Sequence, residues 1–194
     1  MAHLQREYPL FSACGLNCGL CPRHHTAGTS QCPGCGGEGF AAKHPACGVL
    51  SCTRRKGLAY CGLCEDFPCA KYNGAADFDS FITHRHQLLD IEKAQKIGLA
   101  AYRQELDEKV AVLTYLLANY DDGRHKSFFC TAVNLLPLAD VRQVQPQITA
   151  ATAPEQAPKE KAAMAQRLLE AIAHGRGIPL KLRKKQGCKS PEKM

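Results

Sequence analysis

The chain has 194 residues, the length of one ordinary domain or of one domain with an added module. It carries 12 cysteines and a formal net charge of +7, and no apolar run approaches the roughly 20 residues that a membrane-spanning helix requires. These values argue against membrane, collagen-like and fully disordered proteins. The positive charge is concentrated at the end, because residues 156–194 hold ten Lys and Arg against three Asp and Glu.

Ten of the twelve cysteines fall between Cys14 and Cys69, in a segment rich in glycine and proline. So few positions remain for large apolar side chains that metal or disulfides must stabilise this segment. The first residues show no secretory signal, so we expect a cytoplasmic protein with reduced thiols. In that compartment closely spaced cysteines indicate metal ligands before they indicate disulfides.

Outside the triplet that begins at Cys14, two pairs of cysteines have the two-residue gap of zinc knuckles, Cys32-Pro-Gly-Cys35 and Cys61-Gly-Leu-Cys64. This gap lets both sulfurs face one metal, and a four-thiolate zinc site built from two knuckles is the expected result. The segment holds enough thiols for about two zinc ions. The predicted metal ligands are Cys14, Cys18, Cys21, Cys32, Cys35, Cys47, Cys52, Cys61, Cys64 and Cys69.

The triplet Cys14-x3-Cys18-x2-Cys21 allows an alternative, because it ends in Cys-Pro as many iron–sulfur ligand runs do. An iron–sulfur cluster serving redox chemistry or electron transfer is therefore the second hypothesis, and disulfides are the third. His24, His25 and His44 lie near the array and are alternative ligands, although exposed loop histidines are the simpler interpretation.

The order of these cysteines resembles a prokaryotic ten-cysteine family known as domain of unknown function 3795. The motifs that carry the resemblance are Cys14-Gly15-Leu16-Asn17-Cys18, Cys32-Pro33-Gly34-Cys35, Cys47 to Cys52, Lys56-Gly57 and Cys61 through Phe67-Pro68-Cys69. Longer family members are also similar in the helical part, around Tyr120–Cys130 and Leu180–Lys184. The resemblance implies a metal-binding protein and carries no reaction.

Beyond the array, apolar residues recur at helical spacing. An irregular stripe over Phe78–Ile91 predicts a first helix, with Asp77 or Asp79 as its N-cap. A clearer stripe over Leu106–Tyr120 predicts a second helix, and Lys126–Leu136 predicts a third. We therefore expect a small, cysteine-rich, metal-stapled N-terminal module followed by a mainly α-helical module.

Proline, threonine and alanine then mark a linker, and a last helix is expected over Lys159–His174. A short edge strand is expected from Ile178. The predicted units are a metal-binding module at 1–76, a helical module at 77–145, a linker at 146–158, and a helix with a basic tail at 159–194. Because the metal-binding module has little apolar side chain of its own, we expect metal removal to unfold it and to leave the helices folded.

Two further features bear on function. Cys130 follows Arg124 and Lys126 near a helix start, which would favour a reactive thiolate, although a small buried hydrophobic residue is the simpler interpretation. The basic run Lys181–Lys185 could bind nucleic-acid phosphates. No catalytic constellation is evident, so the leading hypothesis is a metal-binding protein with structural zinc that binds or regulates a protein partner. The alternative is a redox protein or a thiol-active accessory enzyme using Cys130.

Overall fold

A computed structural model describes residues 5–185 of the chain. In that range the downstream part is helical as predicted, and the only strand pairing is an isolated bridge between Phe11 and Asn17. The strand expected from Ile178 is absent from this range, where residues 178–185 have no regular secondary structure. The helices are α1 (Phe40–Lys43), α2 (Gly48–Arg55), α3 (Gln87–Ile97), α4 (Leu99–Tyr120), α5 (Lys126–Leu135), α6 (Leu138–Ala151) and α7 (Pro158–Gly175).

Helix α4 is the centre of the fold. It packs against α3, α5, α6 and α7, and its buried residues include Leu106, Leu113 and Leu116. Gly98 separates it from α3 with a φ of 87°, a value that residues with a side chain rarely adopt. No helix in residues 5–185 is long and apolar enough to cross a membrane.

The cysteine-rich region contributes directly to the core around α4. The ring of Phe11 lies 5.7 Å from that of Tyr60 and 4.7 Å from that of Tyr102, measured between centroids. Leu20 is fully buried in the same cluster. The predicted boundary after residue 76 falls among turns, but the apolar core extends across it because short loops with few apolar residues need a partner surface.

The first helix begins later than the sequence predicts. Residues 77–86 form turns, and α3 starts only at Gln87. Asp79 does act as a cap, but of a turn: its Oδ1 accepts the backbone N–H of His84 at 2.8 Å. The same carboxylate accepts from the Arg183 guanidinium at 2.9 Å, which ties the C-terminal segment to this loop. The start of α3 therefore depends on Arg183, a residue distant in sequence, and the local spacing of apolar residues does not predict it.

The predicted linker at 146–158 is helical over its first part. Helix α6 continues to Ala151 with Pro146 inside it, and only residues 152–157 connect α6 to α7. Proline removes one backbone hydrogen bond. The helix persists because Val144 and Ile148, on either side of the proline, are completely buried, and packing outweighs local preference.

A buried polar network joins the cysteine-rich region to the helices. Asn17 donates to Asp90 at 2.9 Å and to Asn134 at 3.3 Å, while the Tyr102 hydroxyl donates to the Asn17 carbonyl oxygen at 2.9 Å. Burial raises the pKa of Asp90 to about 6 and lowers the pKa of Lys109, whose ammonium donates to the Asn134 carbonyl at 3.2 Å, to about 8. Polar groups in such a site are costly unless each has a partner.

Replacing Tyr102 by Phe should therefore destabilise the protein by about 1–3 kcal/mol, because the Asn17 side-chain oxygen would lose a buried donor. Tyr115→Phe is the matched control, since the Tyr115 hydroxyl bonds Thr149 at an exposed position. We expect that control to cost about 0.5 kcal/mol or less. Urea unfolding followed by circular dichroism measures both, and equal losses would show that the network does not stabilise the fold.

Candidate metal centre

Six of the predicted ligands line one cavity of about 430 Å³, here called the six-thiol cavity. Its thiols belong to Cys14, Cys18, Cys21, Cys32, Cys35 and Cys47. The loop before α3 closes one side with Phe78 and Phe81, and Phe40 of α1 closes another. The structure thus brings together the triplet, one complete knuckle and the first cysteine of the Cys47–Cys52 pair.

The other four predicted ligands line a second cavity of about 260 Å³, here called the four-thiol cavity. Its thiols belong to Cys52, Cys61, Cys64 and Cys69. Tyr72 stands between the cavities: it lines the smaller one, and its hydroxyl donates to the carbonyl oxygen of Cys14 at 3.4 Å. Every thiol of the predicted set therefore faces one of two cavities.

A short repeat supplies two thiols to each cavity, and sequence analysis missed it. Residues 18–21 and 61–64 both read Cys-Gly-Leu-Cys, and both form a 3-10 turn in which the second cysteine N–H donates to the first cysteine carbonyl, at 3.1 and 2.9 Å. Gly19 faces Val110 of α4, and Gly62 faces Ile91 of α3, where an added Cβ would lie 2.8 and 2.7 Å from those side chains. Glycine is thus required because each turn lies directly against a helix.

The two knuckles do not share a site, contrary to the simplest expectation. Cys32 and Cys35 line the six-thiol cavity, whereas Cys61 and Cys64 line the four-thiol cavity. The Cys47–Cys52 pair is also divided. Its first cysteine is the N-cap of α2 and its second lies five residues later, a rotation of roughly 140° about the helix axis, so the two thiols face different sides.

The thiols are gathered without bonding to one another. All cysteines in residues 5–185 are free, with Cys35 and Cys61 buried and the other eight array thiols half-buried. Within this range no three Cys, His, Asp or Glu side chains converge closely enough to bind a single ion. The arrangement is therefore one of thiols spread around two cavities.

Burial sets the protonation of these thiols. It raises the pKa of Cys18 well above its usual range, and the neighbouring Cys35 and Cys14 thiols raise it further. Burial likewise raises the pKa of Cys35 and of Cys61. The thiols are therefore neutral at neutral pH in the absence of a counter-charge, because burial and mutual repulsion both disfavour their thiolate forms.

The alternative histidine ligands are mostly engaged elsewhere. His24 Nδ1 bonds the carbonyl oxygen of Cys32 at 2.9 Å, and His25 Nε2 bonds that of Gly19 at 2.7 Å. These contacts stabilise the loop that follows the triplet. His44 lines the six-thiol cavity, stacks on Phe40 with ring centroids 4.6 Å apart, and bonds the carbonyl oxygen of Pro45 through its Nδ1 at 2.9 Å.

Cys130 lies outside both cavities. It is 1 % exposed in the middle of α5, and burial raises its pKa to about 12, with Cys21 adding to the rise and Lys126 opposing it. A thiol with that pKa is protonated at neutral pH and is a poor nucleophile. The geometry therefore favours the interpretation of Cys130 as a buried packing residue.

The basic C-terminal run is partly engaged within the protein. Arg183 pairs with the fully buried carboxylate of Asp79. Burial by itself would raise the pKa of Asp79, but the hydrogen bonds from the Arg183 side chain and from the Arg183 and His84 backbone N–H groups, together with the Arg183 charge, lower it to about 2. Arg85 donates to the carbonyl oxygens of Pro179 and Lys181. Within the described residues this segment thus serves to anchor the loop before α3. Cys188 lies outside the described residues.

The fold and the site define a cysteine-rich region whose thiols are gathered against a helical support. Residues 10–74 match the family described as Protein of unknown function (DUF3795). This segment contains all ten array cysteines, so the resemblance drawn from their order is confirmed. No curated protein and no solved structure matches the chain.

Proposed function

We propose that this protein binds metal at two separate thiolate centres, one in each cavity. The observation that carries the proposal is the placement of all ten array thiols around only two cavities. Four thiolates complete a zinc site or hold an iron–sulfur cluster, and each cavity has at least four. The residues present thus fit either group. The metal would be structural, supplying folding energy to loops with few apolar side chains.

The sequence favours zinc as the bound metal. The positions of the thiols in space, however, favour an iron–sulfur cluster for the following reason. Zinc requires four sulfurs about 2.3 Å from one point. Within residues 5–185 no three potential ligands converge in this way. A cubic cluster places its thiolates further apart, at separate corners, so thiols spread around a cavity suit it better. Zinc would require the loops to contract on binding.

In the leading proposal the metal centres are structural, and the protein that they stabilise binds or regulates a protein partner. A redox or electron-transfer role is the second candidate and follows if the metal is an iron–sulfur cluster. Nucleic-acid binding through Lys181–Lys185 is a weaker proposal, because Arg183 is already paired with Asp79. A reducing cytoplasm, which the sequence predicts, would keep the array thiols free for metal.

Elemental analysis of anaerobically purified protein, combined with a visible absorption spectrum, tests the proposal. Zinc in about two equivalents with no visible absorption would identify two zinc centres. A brown preparation rich in iron and acid-labile sulfide would identify clusters and favour the redox candidate. Protein with neither metal above trace levels would contradict metal binding.

Cys32→Ser and Cys35→Ser should each lower the bound metal more than Cys130→Ser does, since serine is a much poorer ligand than the knuckle thiol that it replaces. Cys130→Ser is the control, because Cys130 is buried in α5 outside both cavities. It should retain the wild-type metal content. Equal metal loss in the Cys130 variant would make Cys130 a ligand and contradict the proposed centres.

A further inference from the structure

In the four-thiol cavity, a lysine ammonium contacts one of the thiols. Lys56 follows the last turn of α2, and its ammonium donates to Cys64 Sγ at 3.1 Å. The same ammonium donates to Asp66 Oδ2 at 2.7 Å. Asp66 therefore holds the lysine side chain over the sulfur, and an otherwise mobile surface cation is restrained at the mouth of the cavity.

A hydrogen bond from an ammonium to a ligand sulfur has a defined effect on a metal centre. It favours the charged form of the sulfur, fixes its orientation and draws electron density away from the metal. In iron–sulfur proteins, hydrogen bonds to the sulfurs are one of the factors that set the reduction potential.

The ligands of this cavity come from one short stretch of chain. Cys52 lies on α2, Cys61 and Cys64 bound the second Cys-Gly-Leu-Cys turn, and Cys69 follows Pro68. Residues 52–69 thus contain a complete set of four thiols. The other six array thiols all precede them in the chain and line the larger cavity.

We propose that Cys52, Cys61, Cys64 and Cys69 form one complete metal centre, independent of the six-thiol cavity, and that Lys56 is its positioning residue. This inference rests on the proposed metal-binding function and assigns which thiols share a metal. Lys56 acts through Cys64 and does not itself bind the metal.

Paired cysteine variants of the full chain test the assignment. Cys52→Ser with Cys69→Ser should remove one centre and leave the other loaded. Cys32→Ser with Cys35→Ser and Cys47→Ser, which leaves only three thiols in the six-thiol cavity, should do the reverse. Combining all five changes should remove nearly all metal. Retention of a loaded second centre in the Cys52/Cys69 variant supports independence. Loss of all metal from that variant, with the helical circular dichroism signal intact, would overturn it.

Lysine variants test the positioning role without removing a ligand. Holoprotein of Lys56→Met should release metal from one centre about tenfold faster to a chelator, the lower end of the effect of removing an outer-shell partner. Lys56→Arg should restore slow release because arginine keeps the charge and the donors. Lys71→Met is the matched control, since Lys71 lines the same cavity without a hydrogen bond to its thiols in the described residues.

The outcomes separate the two proposals. Metal-loaded wild type with equal release rates in the Lys56→Met and Lys71→Met variants would reject the positioning role alone. Wild-type protein without metal would reject the metal-binding function, and this inference with it. If the centre contains iron, Lys56→Met should also shift its midpoint potential to more negative values, and Lys71→Met, which removes the same charge without removing a hydrogen bond to sulfur, should shift the potential less.

Discussion

Removing metal should lower the melting temperature of the helices by more than about 10 °C, although most helices lie outside the cysteine-rich region. The physical reason is the shared core. Phe11, Leu20 and Tyr60 are each 2 % exposed or less and pack in the cluster that contains α3 and α4. If their loops unfold without metal, these side chains leave the core and expose the apolar faces that they cover.

Thermal unfolding followed by circular dichroism, with and without chelator, measures this effect. Zinc-finger peptides gain about 10–16 kcal/mol from their metal, so even a part of such an energy is large on the scale of domain stability. A single transition shifted to lower temperature is expected. An unchanged helical melting temperature in metal-free protein would show that the helices fold independently, which is the expectation from sequence alone.

Phe11→Ala should destabilise the protein by about 3–5 kcal/mol, the usual cost of truncating a buried aromatic residue. The Phe11 ring lies between those of Tyr60 and Tyr102, so its removal leaves a cavity where the cysteine-rich region meets α4. Leu89→Ala is the control, because Leu89 is 57 % exposed and lines neither cavity, so this change truncates a large apolar side chain at the surface.

The two variants are best compared by urea unfolding of metal-loaded protein. Leu89→Ala should change the free energy of unfolding by about 0.5 kcal/mol or less. Phe11→Ala should also speed the release of metal to a chelator, since weaker anchoring lets the loops open more often. A small effect of Phe11→Ala on both readouts would mean that the contact between loops and helices contributes little.

The helical part shows where sequence patterns are sufficient. Helix α4 ends at Tyr120 as predicted but begins at Leu99 instead of Leu106, and α5 and α7 agree with the predicted helices to within a residue at each end. These helices have regular apolar stripes or clear stop residues close in sequence. The start of α3 was predicted wrongly, and α6 was not predicted as a helix, its last residues being assigned to a linker. The Asp79–Arg183 pair and the burial of Val144 and Ile148 are long-range effects that local patterns do not show.

The cysteine array shows what sequence patterns do not predict. The spacing of the cysteines alone predicts that ten thiols bind metal. The sequence also contains the repeated Cys-Gly-Leu-Cys motif, which a comparison of residues 18–21 with residues 61–64 would have revealed. It does not predict which thiols meet. That depends on the helix rotation that separates Cys47 from Cys52, and on the two helices against which the repeated turns lie.

The amino-acid sequence by itself therefore determined the kind of protein: a cysteine-rich region of a recognisable family, followed by helices whose period is visible in their apolar residues. Only the tertiary structure decided the division of the thiols into groups of six and four, the contact of Lys56 with Cys64, and the shared core that includes Phe11 and Tyr102. The reason is physical. Periodicity and turn chemistry are local properties of the chain, whereas a cavity or a core is formed by residues that are distant in sequence and meet only when the chain is packed.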